Sequence, residues 1–366
     1  MTELLRELVE IESASDDPAG LAAMADRLAE LFAPFGSLTR HPAGPSASHH
    51  LDLTIDGSQS DVGDVLVIGH FDTVWRRGTL ADMPFTLDSA GVARGPGCFD
   101  MKGGLVQLYF ALHELARLGI RARRRIRILF NCDEEIGSPS SRALIEQFAA
   151  AAVVAYVLES PLPGGALKTQ RKGSAMYTVE ITGRAAHAGI EPGRGASAVL
   201  ELAHQIHAIH ALNDADRGTS VNVGIVSGGS RVNVVPPSAA AQINARTTTK
   251  AEAERVRTAI SALTPTVPDT RVASRAGLSR PPMERTPEIG SLFAAAQRIA
   301  AELGSPPLQE GATGGASDAN LVAALGVPTL DGLGPEGGGA HADDEHVLVE
   351  SMPRRAALIA GLLAGS

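Results

Sequence analysis

The chain has 366 residues, 44% of them hydrophobic and 4% aromatic, with 39 glycines and a formal net charge of −9. That length exceeds one ordinary core, so two domains are expected, in an α/β protein and not a disordered or membrane one. The charge argues against nucleic acid or an anionic membrane as the main partner. No apolar run is long enough to span a bilayer, and the acidic, amphipathic start lacks signal-peptide character, so a cytoplasmic location is expected.

Helical periodicity covers residues 2–11 and 21–35, and Val65-Leu66-Val67-Ile68-Gly69 reads as a fully buried strand. A helix over 102–118 closes at Gly119, followed by a strand from Ile126, a helix over 138–149 and a strand over 153–158. This rhythm predicts a mostly parallel sheet flanked by helices. From Lys172 the pattern changes to half-buried strands at 176–182, 220–226, 239–247 and a short one at 270–274, with helices at 196–212 and 251–263. Those elements predict an inserted α+β domain. Helices at 287–303, 318–325 and 348–363 and a strand at 327–330 return to the first domain. The expected division is catalytic 1–171, inserted 172–283 and catalytic 284–366.

Chemistry gathers where strands end. Phe130-Asn131-Cys132-Asp133-Glu134-Glu135-Ile136-Gly137 leaves three carboxylates side by side as a strand opens into a loop, where α/β enzymes place their sites. Alone, the run reads first as a solvated acidic turn. His70 and Asp72 follow the buried strand two residues apart, so they share a side of an extended chain, and Asp72 is placed to orient a metal-binding His70. Asp100 lies in the glycine-rich run before the 102–118 helix, which suits either a held carboxylate or a helix N-cap. Glu159 closes an apolar strand, and an acid there is costly unless partnered. His341 follows Gly338-Gly339-Ala340, a better ligand position than His346.

Together His70, Asp100, Glu135, Glu159 and His341 supply enough nitrogen and oxygen donors for two zinc ions bridged by one carboxylate. Glu134 is left over, free to take a proton from water and deliver it to a leaving amine. Cys98 and Cys132 read first as small buried filler and otherwise as metal ligands or redox-sensitive thiols, and His204, His207 and His210 share a helical stripe that suits a surface or dimer contact over adventitious metal.

The order His70-x-Asp72, Gly95-Pro96-Gly97-x-x-Asp100-Met101-Lys102-Gly103-Gly104, Asp133-Glu134-Glu135-x-Gly137-Ser138, Glu159 and His341 resembles the M20 metallopeptidases over nearly the whole chain, and within them the glutamate carboxypeptidases. The resemblance implies a zinc-peptidase-like fold and two zinc ions per subunit, replaceable by cobalt or manganese. Asp100 would bridge them, one held by His70 and Glu159, the other by Glu135 and His341. It further implies Glu134 as general base and acid, with Asp72 behind His70.

The inserted domain would be a lid through which two subunits pair. Thr182 to Gly189 resembles the family loop whose histidine, here His187, reaches the partner's site and steadies the oxyanion. Asn233 and Arg246 resemble the residues that meet the substrate's carboxylate end, and Arg280 a further glutamate-binding arginine. The segment Lys168 to Lys172 offers more positive charge to the same pocket. Asn244 stands where the family often has an acid, and Ser160 where carboxypeptidases more often show proline. The expected reaction is release of a C-terminal amino acid, acidic by preference, from peptides or N-acyl conjugates. An N-acyl amino acid deacylase of the acetylornithine or succinyl-diaminopimelate type is the alternative, and a non-catalytic peptide-binding protein the remaining one.

Overall fold

In the computed structural model, which describes residues 1–44, 48–59 and 62–366, the strand Asp64–His70 is buried along its whole length. Its run of apolar residues without alternation follows from helices on both faces of the sheet. The sheet runs in the order Ser37–Pro42, His49–Ile55, Ile126–Asn131, Asp64–His70, Ala152–Val157, Thr329–Leu330. The last four strands are mutually parallel, and the first two are antiparallel additions at one edge. Helix Pro18–Phe32, started by Asp17 as N-cap and Pro18 in its first turn, packs on His49–Ile55. Phe32 meets Phe130 with ring centroids 4.7 Å apart. Helix Gly103–Arg117 lies along Ser351–Gly365, and Arg142–Ala149 and Asp318–Ala324 pack on Ala152–Val157.

These elements belong to one compact unit, residues 1–170, 285–313 and 317–366; residues 171–284 with 314–316 form a second. The second unit is an antiparallel sheet in the order Ser220–Gly228, Ser238–Thr247, Gly173–Thr182, Arg271–Arg280. Helices Ala198–His210 and Lys250–Ser261 cover it, so Tyr177, Val179 and Ile181 are buried while Met176 before them and Glu180 among them are exposed. Period-two alternation is the signature of such a half-covered sheet.

The structure departs from the sequence reading in several places. The helix expected from residue 138 begins at Arg142, because Ser140 and Ser141 turn back onto Asp133. The strand expected at 270–274 extends as Arg271–Arg280 through a register break after Ala276, which brings Arg280 into the sheet. Residues 168–171 lie in a strand, Leu167–Arg171, with Lys168 and Arg171 buried and Arg171 donating to Gly315 O at 3.2 Å. They are not an open charged loop.

Candidate metal centre

Three neighbouring parallel strands, Ile126–Asn131, Asp64–His70 and Ala152–Val157, end at the same edge of the sheet. His70 is the last residue of the central one, Glu134 and Glu135 follow the first within four residues, and Glu159 follows the third by two. Parallel pairing thus converts sequence-distant strand ends into one cluster. Asp100 arrives from the turn Cys98–Lys102, with φ −121° and ψ 94°, ahead of helix Gly103–Arg117. It is not an N-cap, since no side-chain cap bond forms at either helix start. His341 arrives from the C-terminal loop at φ 63°, left-handed for a non-glycine residue, a conformation that costs about 1–3 kcal/mol and persists only where its surroundings impose it.

The two oxygens of Asp100 serve different histidines. Asp100 Oδ1 lies 3.2 Å from His70 Nε2, and Oδ2 lies 3.2 Å from His341 Nε2. Glu159 Oε1 is 3.7 Å from His70 Nε2, and Glu135 Oε2 is 3.2 Å from His341 Nε2. One donor atom each from His70, Asp100 and Glu159 falls within 4.8 Å of the others, as it does for Asp100, Glu135 and His341. The triads share Asp100. On the other side of His70, Nδ1 sits 3.0 Å from Asp72 O and 3.5 Å from Asp72 Oδ1, which fixes the ring and leaves Nε2 facing the cluster.

Two further observations fit this donor set to cations. Glu135 Oε1 is buried with no hydrogen-bond partner among the described residues, an expense that a bound cation would remove. The electrostatics point the same way. Burial opposes a charge on His70, but the bonds to Asp100 and Asp72 outweigh it and raise its pKa well above the usual imidazole range. Hydrogen bonds to Asp100 and then Glu135 lift His341 to about 10. Burial acts to raise Asp100, yet His341 and His70 hold its carboxyl well below the usual range. The pocket is organised for positive charge, which a divalent ion supplies without protons. Two histidines and three carboxylates, with no cysteine, suit zinc, cobalt or manganese.

Around this cluster the acidic run has divided roles. Asp133 accepts from the backbone and hydroxyl groups of both Ser140 and Ser141, so it holds the turn. Glu134 is buried, its backbone N–H donating to Asp72 Oδ1 at 3.1 Å. Cys98 and Cys132 are buried, and burial raises both thiols, Cys132 to about 12, which makes them inert filler. His346 Nδ1–H donates to Asp344 O, and the residue joins neither triad. His204, His207 and His210 are exposed and form no metal-type group among the described residues.

In the second unit, His187 Nδ1 accepts from Gly189 N–H at 3.1 Å and Ile190 N–H at 3.2 Å, so the neutral ring carries its proton on Nε2. The ring is exposed, as is Asn233, whose backbone O accepts from Ala188. Arg246 and Arg280 both pair in register with Ser174, from the strands on either side of it. Burial and the charge of Arg280 lower the pKa of Arg246, while Asn244 Oδ1 takes its Nε at 3.1 Å. Asn244 therefore does orienting work that an acid could also do.

The sequence profile of peptidase family M20/M25/M40 matches residues 66–365. The chain belongs to that family. This M20 chain is 31% identical to carboxypeptidase G2 of Pseudomonas sp. (strain RS-16) over 98% of its own length and 87% of the relative's. Its fold is that of the aminopeptidase PepT from Bacillus cereus, with a TM-score of 0.79 at 23% identity, covering 100% of this chain and 98% of that one. It is also that of YXEP from Bacillus subtilis, described as a dinuclear metal binding peptidase, with a TM-score of 0.70 at 15% identity over 99% and 96% of the two chains. As an M20 protein it is a metallopeptidase or amidohydrolase. Among the described residues no helix is long and apolar enough to cross a membrane.

Sequence reasoning passed over three residues that shape this centre. Ser15 Oγ donates to Asp72 Oδ2 at 2.7 Å, and Glu345 and Trp75 brace the Asp100 turn. A serine in Ser13-Ala14-Ser15 carries no signal of its own. Within Asp343-Asp344-Glu345 nothing local sets the third acid apart from the other two.

Proposed function

We propose that this enzyme is a dinuclear metal carboxypeptidase that releases an acidic C-terminal amino acid from peptides or N-acyl conjugates. The observation that carries the reading is Asp100, whose two oxygens face His70 and His341, with the buried Glu134 on the adjoining strand end. Asp100 would bridge two zinc ions, with His70 and Glu159 completing one site and Glu135 and His341 the other. When bound, the ions supply positive charge that polarises the amide carbonyl and makes water a better nucleophile.

The protein's own groups supply the proton traffic. Water adds to the carbonyl carbon as Glu134 takes its proton, the C–N bond then breaks, and Glu134 returns the proton to the departing amine nitrogen. Asp72 keeps His70 oriented and holds the turn of Glu134. The Nε2–H of His187, left outward by its Nδ1 contacts, is suited to donate to the developing oxyanion in the partner subunit's site after lid closure. Arg246 and Arg280, two cations at one register, suit the substrate's carboxylates, with Asn233 as an added polar contact.

The likeness to carboxypeptidase G2 across both units supports the carboxypeptidase reading over a deacylase. A homodimer through the lid fits the second unit. Strand Ser220–Gly228 lies at the edge of its sheet with Ile225 and Val226 more than half exposed, and Val199 and Leu200 are exposed on helix Ala198–His210.

The test is an amine-release assay over N-acyl and peptidyl amino acids with zinc. The expected result is a preference for glutamate or aspartate as the released residue, lost in Arg280→Ala. Preferential release of basic or neutral amino acids would assign the enzyme to the deacylases instead.

A further inference from the structure

Glu345 is a fully buried acid for which the reaction has no use. Its two oxygens take four donors. Oε1 accepts the backbone N–H groups of Phe99 at 2.9 Å and Asp100 at 3.0 Å, and Oε2 accepts Gly97 N–H at 2.8 Å and Trp75 Nε1–H at 2.7 Å. Charge-assisted bonds of this kind make a carboxylate tolerable at zero exposure. They also satisfy backbone donors in a turn whose φ and ψ depart from a helix and which regular pairing leaves short of acceptors.

The same loop carries His341 four residues earlier. It is closed by Ala342 N–H to Gly339 O and by Glu345 N–H to Ala342 O, both 2.9 Å. The loop therefore meets Asp100 at two points. His341 Nε2 reaches the Asp100 carboxylate at 3.2 Å, and Glu345 holds the Asp100 backbone. A shift of the turn would redirect both oxygens of the shared ligand at once, whereas a loss at any other ligand would affect one triad.

We propose that Glu345 is the positioning residue of the metal centre, fastening the Asp100 turn to the His341 loop so that the bridging ligand is set before metal arrives, with Trp75 as its side-chain anchor. The inference rests on the dinuclear reading above. Glu345→Gln keeps the shape but replaces one oxygen with an NH2 group that faces two donors, so only half of the cradle can be satisfied in either orientation.

The chain's single tryptophan, Trp75, makes this region its own reporter. Zinc is titrated into the metal-stripped full-length protein while Trp75 emission is followed and bound zinc is counted by elemental analysis. Wild type is expected to show a saturating change in emission with two equivalents bound. Glu345→Gln should keep its far-UV circular dichroism while its metal-free Tm falls, as donors left unsatisfied in a buried cradle require, and it should bind zinc about 10–100-fold more weakly, the range for outer-shell partners. Trp75→Phe, read by calorimetry, should lose affinity by a smaller factor.

A lower metal-free Tm in Glu345→Gln with wild-type zinc affinity would mean a structural role only and would overturn the proposal. Should that variant not fold, Glu345→Asp takes its place, shortening the reach at constant charge, and wild-type affinity there overturns it equally. Failure of wild type to take up two zinc ions would sink the dinuclear reading itself, and this inference with it.

Discussion

Asp72 Oδ1 accepts the backbone N–H of Glu134 at 3.1 Å, so the residue that orients a histidine also fixes the turn that presents the proposed base. Its second oxygen takes Glu135 N–H at 3.1 Å and Ser15 Oγ at 2.7 Å. Asp72→Ala thus disturbs a ligand on one strand and both acids on the next. The expected outcome is a fall in kcat of about 100-fold or more together with weaker metal retention, since outer-shell partners are worth about 10–100-fold and two depend on this one. Ser15→Ala removes one contact and should cost about tenfold or less. Steady-state kinetics with metal analysis checks both, and an Asp72→Ala enzyme with wild-type kcat would refute the coupling.

Glu134 gives a different signature. If Glu134 is the proton carrier proposed above and not a ligand, its replacement by Gln should lower turnover by about 10²–10⁴-fold, the usual worth of general acid–base catalysis, while leaving two metal equivalents bound. Glu135→Gln should instead reduce metal content. Equal metal loss in the two variants would reverse the assignment of base and ligand.

The contrast between these neighbours explains how much of the site was legible in the chain. Strand ends are visible from sequence because a run such as Val65 to Gly69 is buried on both faces and must stop where polar residues begin. His70, Glu135 and Glu159 stand at such stops, and parallel pairing of three strands gathers them. The second unit was readable for the complementary reason, since Tyr177, Val179 and Ile181 alternate with exposed residues.

The two antiparallel strands beside the parallel four were harder. Ser37–Pro42 and His49–Ile55 mix histidine, arginine and aspartate with their apolar residues, and the buried Asp52 is held by two nitrogens of Arg127 on the adjacent strand. Glu345 was illegible because its donors lie 245 to 270 residues away in the chain, and no local pattern registers a contact of that range.

Close packing behind the ligands yields a stability prediction. A Cβ on Gly104 would lie 2.2 Å from Leu158 O, a backbone atom that cannot move aside as a side-chain tip can. Leu158 immediately precedes Glu159, so the start of helix Gly103–Arg117 sets the position of that ligand. Gly104→Ala is expected to destabilise the protein by about 1–3 kcal/mol, as overpacking does, and to weaken metal binding through Glu159. Urea unfolding with and without zinc measures both, and a neutral Gly104→Ala would show that the helix and strand can separate freely.

The second unit carries its own pH dependence, independent of metal. Glu252, in the first turn of helix Lys250–Ser261, accepts from Arg255 at 2.9 and 2.8 Å, Thr219 Oγ1 at 2.7 Å and Arg217 at 3.0 Å. The bonds from Arg255, then Thr219, hold its carboxyl down to about 2 from an ordinary value of 4.5. A carboxyl depressed in the folded state binds its proton more readily when unfolded. Its stabilisation is therefore complete above about pH 4.5 and disappears as the pH falls through about 2. Glu252→Gln should accordingly speed hydrogen exchange in helix Lys250–Ser261 at pH 7, with the gap from wild type closing steadily below about pH 4.5. A gap that stays constant across that range would mean that Glu252 acts through the shape of its hydrogen bonds and not through its charge.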